Sequence, residues 1–534
     1  MRLASAIPVL FVLCIMLPAR LSAQVKGPTE AELVSAASNV SDWLHSNHDY
    51  GSQRFVSVDE INRSNVHRLI PVCLFQAGDT RPFYTSPIVY QGVMYITTTY
   101  STIALDATTC RVRWRHDWKP KAQENWPLQR GVAIKDGKVV RGTLDGYLLA
   151  LDTDTGQVLW EKAAADASRG ETFTMPPLIY ENLVLIGPAG NEAAIKGWVG
   201  AFQLDTGQPV WRFSIFPGPE DPGSETWSAT QTPTGGGAVW TPFSLDAAEG
   251  LVYVATGNPA PDIYGDVRQG DNLYTDSLVV LDARTGRLVW HYQATSHDTH
   301  DWDLTQASPI FTADVAGRPH KLLVVTGKDG LLRVLDRETR KPIYEVAITR
   351  RENVTTPVTV EGVHVCPGSL GGVQWNGPAY SPRTNMLYVP AVDWCATYKK
   401  AEELRLEKGK LYMGGSVVRD PEGRGTLTAI DASSGTVRWQ YQSSKPMVAG
   451  VTATSANLVI TGELTGDFIV LDGRDGSVLY RFNTGGPIGG GVITYQIEGK
   501  QYIATTSGAA NAFLWRTPPA SSTVVVFSLP KTAD

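Results

Sequence analysis

At 534 residues the chain is longer than an ordinary single domain, and with 43% hydrophobic and 19% charged residues it holds enough apolar material for a large core, which excludes disorder. Its 51 Gly, 33 Pro and 15 Trp point to many tight turns and short strands. A formal charge of −6 disfavours nucleic acid, which selects basic surfaces.

The chain opens as an export signal: Arg2, an apolar run from Ala4 to Leu17, then Ser22 and Ala23 before Gln24. The run is too short to span a bilayer as a mature helix. Cleavage after residue 23 and a periplasmic mature chain over 24–534, read as one domain, are therefore expected, with the formal charge falling to −8 as Arg2 and Arg20 leave. No later segment is long and apolar enough to cross a membrane. Thr29 with Glu32 reads as a capping box opening a short helix through about Leu44. Cys73, Cys110, Cys366 and Cys395 remain after cleavage. An even count in an oxidising compartment predicts two disulfides, Cys73 with Cys110 and Cys366 with Cys395, each within one local unit. There is neither a C-x-x-C-H for haem nor a C-x-x-C for structural zinc.

One pattern recurs seven times: two apolar residues and Asp, a turn near Thr-Gly, then an apolar strand ending in Trp or Tyr. It reads ALDATTCRVRW at 104–114, ALDTDTGQVLW at 150–160, AFQLDTGQPVW at 201–211 and VLDARTGRLVW at 280–290. It returns as VLDRETRKPIY at 334–344, AIDASSGTVRW at 429–439 and VLDGRDGSVLY at 470–480. This is a hairpin: Asp bonds turn amides, Gly supplies the positive φ, and the aromatic packs between neighbouring sheets. Each copy belongs to a four-stranded sheet unable to bury both faces alone, and ring closure solves that. An all-β, eight-bladed β-propeller follows, its eighth sheet made from TVVVFSLP (523–530) and strands around Leu69 to Phe75. Closure by both chain ends leaves no exposed edge. Long insertions after copies three and five are expected to form loops over one face.

Polar residues outside the repeat gather near predicted strand ends. GPAGNEAAIKGWVGAF (187–202) carries Glu192, ATGNPAPD (255–262) carries Asn258, and TSHDTHDWDL (295–304) carries His297, Asp298, His300, Asp301 and Asp303. Converging on the propeller axis, such oxygens would suit a hard cation like calcium.

In the order and spacing of these pieces, from about Asn47 to Ser528, the sequence resembles the quinoprotein alcohol dehydrogenases, eight-bladed propellers that depend on pyrroloquinoline quinone (PQQ). RGVAIKDGKVVRGTLDGYLLALD (130–152), the Glu192 segment, GGGAVW followed by ATGNPAP, and GGVITYQIEGKQYIA (490–504) carry the likeness. So does the separation of Cys366 and Cys395, similar to that family's inter-strand disulfide. The resemblance implies Glu192 and Asn258 as metal ligands. Asp301 would be both ligand and general base, and Trp240 would lie flat on one face of the quinone. Arg130, Thr174, Gln374 and the Ala189–Gly190–Asn191 turn would hold the cofactor, and Lys328 would support its reactive carbonyl. It also implies a small-molecule alcohol as substrate, and with no haem-attachment motif in the chain the electrons are expected to leave through a separate acceptor, a periplasmic cytochrome c.

The departures matter as much. Glu124 and Asn125, followed by Trp126, stand where the family carries two adjacent cysteines covering the second face of the quinone. Tyr84 replaces a family Glu, Val448 a Trp, and Gln374 an Asn. These changes point away from methanol and ethanol towards larger alcohols, polyols or sugars. Asp303, two residues past Asp301, matches a position associated in the family with lanthanide use, and would be a further ligand. Calcium stays ahead of a lanthanide, because Asp303 also suits the capping of a turn. Two rivals share the fold: a non-catalytic scaffold binding another envelope protein, and a hydrolase or lyase built on the Asp/His cluster.

Overall fold

In this computed structural model the described residues are 27–530 except 229, 231 and 407–410, so the expected export signal lies outside them. Eight sheets of four or five strands follow one another among the described residues, with smaller ones of two and three strands beside them. The fold is a β-propeller. Its blades span 88–117, 133–163, 178–214, 244–293, 304–347, 379–443 and 452–483, and the eighth joins strands of 492–528 to Ile70–Gln76. That last strand pairs antiparallel with Thr523–Ser528, so sequence from both ends closes the ring as expected.

The repeat explains how blades stack. Gly156, Gly207, Gly286, Gly435 and Gly476 all have φ between +67° and +74°. A Cβ on any of them would sit 2.4–2.7 Å from the terminal aromatic of the preceding repeat: Trp114, Trp160, Trp211, Tyr344 or Trp439. The glycine therefore serves both the left-handed turn and the inter-blade contact. Each aromatic then donates into the next blade: Trp114 Nε1 to the Thr153 carbonyl at 2.8 Å, Tyr344 Oη to that of Ala432 at 2.7 Å. Two copies lack the glycine, and Cys110 (φ 59°) and Arg340 (φ 61°) take the left-handed conformation instead. Middle strands such as Ser101–Asp106 are buried along nearly their whole length, because neighbouring blades cover both their faces.

Two expectations need correction. Cys73 does pair with Cys110, and Cys366 with Cys395. The first pair, however, joins the eighth blade's outer strand to the first blade's turn rather than lying within one unit. Secondly, the capping box at Thr29 and Glu32 is present, but the helix covers only Glu30–Val34. Ser35 turns its hydroxyl back onto the Ala31 carbonyl at 2.8 Å, and Asn39 captures the amides of Ser41 and Asp42, diverting the chain into turns.

The segment after that turn laces the ring together. Carbonyls of Val40, Trp43, Tyr50, Gly51, Gln53 and Arg54 accept amides of Gln496, Val89, Leu245, Ile310, Tyr380 and Ala453, which touches six blades. The fully buried Arg54 guanidinium donates to the Val451, Val492 and Ser46 carbonyls and to Asn47 Oδ1.

Candidate active site

A cavity of about 310 Å³ lies at one end of the ring axis. Topology explains why. Arg130, Thr174, Trp240, Asp301, Asp303 and Gln374 precede innermost strands, while Glu192, Asn258 and Lys328 follow second strands, which end at that same side. Ala189, Gly190 and Asn191 line it too, so every cofactor and metal residue expected from the sequence reaches this one space.

The core of the site is an ion cluster. Lys328 Nζ stands 2.8 Å from Asp301 Oδ1 and 2.6 Å from Asp303 Oδ2. Asp303 Oδ1 accepts the Asn258 amide at 2.9 Å. That contact explains Gly257, where a Cβ would lie 2.6 Å from the same oxygen. Asn258 Oδ1 accepts from Asn191 Nδ2 at 2.6 Å, and Asn191 Oδ1 accepts the Ala238 amide at 3.2 Å. Glu192 sits in a single 3-10 turn, Asn191–Ala193, led by Gly190 at φ 127°. A Cβ on Gly190 would lie 2.2 Å from the Gly170 carbonyl oxygen.

Burial raises the Glu192 carboxyl above its ordinary value, and Asp303 adds repulsion against the opposing pull of Lys328. Asp301 is raised well above the ordinary range, first by burial, although Lys328 works the other way. Burial would lower Lys328, but Asp301 and Asp303 outweigh it and hold the ammonium above its usual value. Three carboxylates thus share one lysine in a desolvated space, a donor set of hard oxygens that fits a di- or trivalent cation.

The second feature is a cation, Arg130, with no carboxylate partner among the described residues. Arg130 donates to Thr174 Oγ1 at 2.9 Å and the Trp240 carbonyl at 3.3 Å, and its guanidinium lies 4.9 and 5.1 Å from the rings of Trp240 and Trp375. Its Nε is buried with no partner. Burial pushes its pKa down to about 9, which leaves it charged at neutral pH. A buried guanidinium facing a cavity and lacking a carboxylate fits an anionic ligand, and flanking indoles fit a planar one.

Several residues at the site went unnoticed in the sequence. Asp262 is fully buried near the cluster with both oxygens unpartnered. Burial, then repulsion from Asp301, raises it well above the ordinary range. Trp375 and the Phe513–Leu514–Trp515 run also line the cavity, with Leu411, Met413, Val417 and Arg419. The signal for the first run was four consecutive apolar residues, AFLW at 512–515, between two strands of one blade. Tyr84 and Trp126, noted as departures, line the cavity as well. Neither His297 nor His300 does: His300 stacks on Trp302 with centroids 4.3 Å apart, and His297 Nδ1 bonds the Gly270 carbonyl.

Comparison with known proteins decides the relationship. Residues 43–351 match the family described as glucose/ethanol/alcohol dehydrogenase, beta-propeller domain. The chain belongs to the quinoprotein alcohol dehydrogenase family. Residues 396–516 also match a family described as outer membrane protein assembly factor BamB. A quinoprotein ethanol dehydrogenase of Pseudomonas putida is 31% identical over 92% of this chain and 90% of its own. A lanthanide-dependent methanol dehydrogenase of Methylacidiphilum fumariolicum is 30% identical over 90% and 87%. Among solved structures, a europium-containing methanol dehydrogenase superposes with a TM-score of 0.86 at 27% identity, covering 93% of this chain and all of that one. No helix among the described residues is long and apolar enough to cross a membrane.

Proposed function

We propose that the protein is a periplasmic dehydrogenase that oxidises the hydroxyl of an alcohol, polyol or sugar with metal-bound PQQ as electron acceptor. One observation carries this reading: the Glu192–Asp301–Asp303–Lys328 cluster shares a cavity with the unpaired Arg130 guanidinium. A non-catalytic scaffold has no use for that combination.

When bound, PQQ supplies the two-electron acceptor for the carbinol hydride, and the metal a Lewis acid beside it. The rest falls to the chain. Glu192, Asn258 and Asp301 hold the metal through side-chain oxygens. Arg130, Thr174, Gln374 and the Ala189–Gly190–Asn191 turn hold cofactor oxygens, and Trp240 offers a flat face. Asp301 takes the hydroxyl proton as the carbonyl product forms. Lys328 keeps that base oriented and presents a second cation. Asp303 serves as further ligand or as the brace between Lys328 and the Asn258 amide. Calcium is the first choice of metal, and a lanthanide the alternative. The electrons then leave to a separate acceptor, for which a periplasmic cytochrome c is the candidate. In this reading residues 24–534 form one propeller domain after removal of residues 1–23.

The test is an absorbance titration of metal-stripped protein with PQQ, alone, with calcium and with a light lanthanide. Saturable binding that needs a metal and disappears in Glu192→Ala is expected. No binding under any condition would turn attention to protein partners instead.

A further inference from the structure

The seam between the fifth and sixth blades changes character along its length. Leu387, Val389, Ala391 and Ile430 of the sixth blade share one apolar cluster with Val324, Leu332 and Val334 of the fifth. Strand alternation then continues the same face of the sixth blade into Thr428, Thr426 and Arg424, which pair with Val389, Ala391 and Asp393. On their other side Thr428 and Thr426 pair with Gln440 and Gln442. Where these polar residues take over, a cavity of about 320 Å³ opens, lined on the fifth-blade side by residues 347–350. It shares no lining residue with the axial cavity.

Its polar groups are not used up by the protein. Thr426 is only 8% exposed, yet its hydroxyl has no hydrogen-bond partner among the described residues, and the same holds for the Thr349 hydroxyl and Asp393 Oδ1. Asp393 Oδ1 faces Arg350 Nε from 3.9 Å, beyond hydrogen-bond reach. Arg350 is engaged elsewhere, 3.9 Å from Glu352 Oε1 and donating to Cys395 Sγ at 2.8 Å. The Arg424 guanidinium forms neither an ion pair nor a hydrogen bond among the described residues. Gln440 Nε2 donates to Thr428 Oγ1 at 3.0 Å, which leaves its own oxygen available. A seam that served only to join two blades would stay close-packed and apolar, as it is around Val389.

We propose that this inter-blade cavity is a second binding site, and that its ligand is a carboxylate carrying several hydroxyls, such as a uronic or aldonic acid. The unpaired Arg424 would take the carboxylate in a charge-assisted hydrogen bond. Thr349, Thr426, Gln440 and Gln442 each offer a donor and an acceptor, as a sugar hydroxyl does, and Asp393 accepts from hydroxyls. The volume sits at the lower end of ligand-sized cavities, about 300 Å³. The site stands apart from the axial cavity and needs neither PQQ nor a metal.

The experiment is a calorimetric titration of the full-length protein with D-glucuronate, and in parallel with D-glucose, acetate and inorganic phosphate. Glucuronate should bind saturably, with a Kd at least about tenfold below those of glucose, which lacks the charge, and of acetate and phosphate, which lack the sugar hydroxyls. Arg424→Gln should raise that Kd about 10–100-fold, and Thr426→Val about fivefold. Arg424 is exposed and makes no bond to the rest of the chain, so its replacement leaves the fold intact. Thr426→Val removes a buried hydroxyl without a partner, so the ligand-free protein should keep its Tm. Glucuronate binding should also survive Arg130→Met, which alters only the axial cavity. Glucose, acetate or phosphate binding as tightly as glucuronate overturns the ligand class. No saturable binding of glucuronate, binding unchanged in Arg424→Gln and Thr426→Val, or binding lost in Arg130→Met overturns the site.

Discussion

Aspartates at the rim of the propeller and aspartates around its axis live under opposite electrostatic rules. In the repeat turns, Asp106 Oδ1 accepts the amides of Thr108 and Thr109 and both their hydroxyls, and Asp282 Oδ1 accepts the amides of Arg284 and Thr285. Burial works against the ionised form of Asp106, Asp282, Asp336 and Asp431, yet hydrogen bonds from Arg113, His320 and Arg438, together with those of the turn residues, outweigh it and hold all four below the ordinary carboxylate range. Around the cavity Asp262, Asp276 and Asp301 are raised well above it, burial being the largest cause. Asp262 and Asp276 have no hydrogen-bond partner on either oxygen among the described residues. The rim satisfies its charges with the chain itself, whereas the axis concentrates negative charge that an external cation would neutralise.

The sharpest way to break this contrast is at the axis. Asp301→Asn should lower kcat by a factor of about 10²–10⁴ in rapid-quench or dye-coupled assays while PQQ still binds, because the base is lost and the cavity shape is kept. Arg130→Met should weaken PQQ binding about 10–100-fold in the absorbance titration without lowering the stability of the metal-free protein, since a buried cation lacking an anion is removed. Adding the preferred metal at about 100 times its Kd should stabilise the stripped protein by about 2.7 kcal/mol, read as a higher Tm. An unchanged Tm would mean that the axial carboxylates are not a cation site.

At the rim the expected effects are smaller and run with pH. A carboxylate whose folded pKa is depressed contributes stability that is full above its unfolded value, about 4, and drains away as pH falls through the lower folded value. Denaturant midpoints should therefore decline below about pH 4 as the repeat turns protonate. The mildest test is Arg340→Gly, which places glycine where five of the repeats have it and relieves a φ of 61°. A gain below about 1 kcal/mol in denaturant unfolding is expected.

Much of this architecture is legible in the sequence because the blade turn is local chemistry. Asp, the glycine and the closing aromatic lie within eleven residues, and the same three side chains make the turn and the contact to the next blade. Site residues such as Glu192, Asn258 and Lys328 are legible for a different reason, as members of an ordered set of segments rather than as individual side chains. The apolar lining of the cavity escaped notice because residues such as Leu411 and Phe513 are about a hundred residues apart, carry no reactive group, and reach one cavity only in the closed ring. Asp262 escaped because burial depends on how an insertion folds back, here with Arg268 clasping the carbonyls of Pro261, Asp262 and Asp298. The helix expected to reach Leu44 stops ten residues early because the side chains of Ser35 and Asn39 compete for the backbone.

Closure by strands from both ends of the sequence has a consequence for synthesis. The eighth blade needs Thr523–Ser528 to meet Ile70–Gln76, and the ring has no full circumference before then. A ribosome would have to release nearly the whole chain before the ring around the axial cavity is complete. A product cut short within its last blade would then be no slower version of the protein, but an open arc of blades with no centre to bind anything.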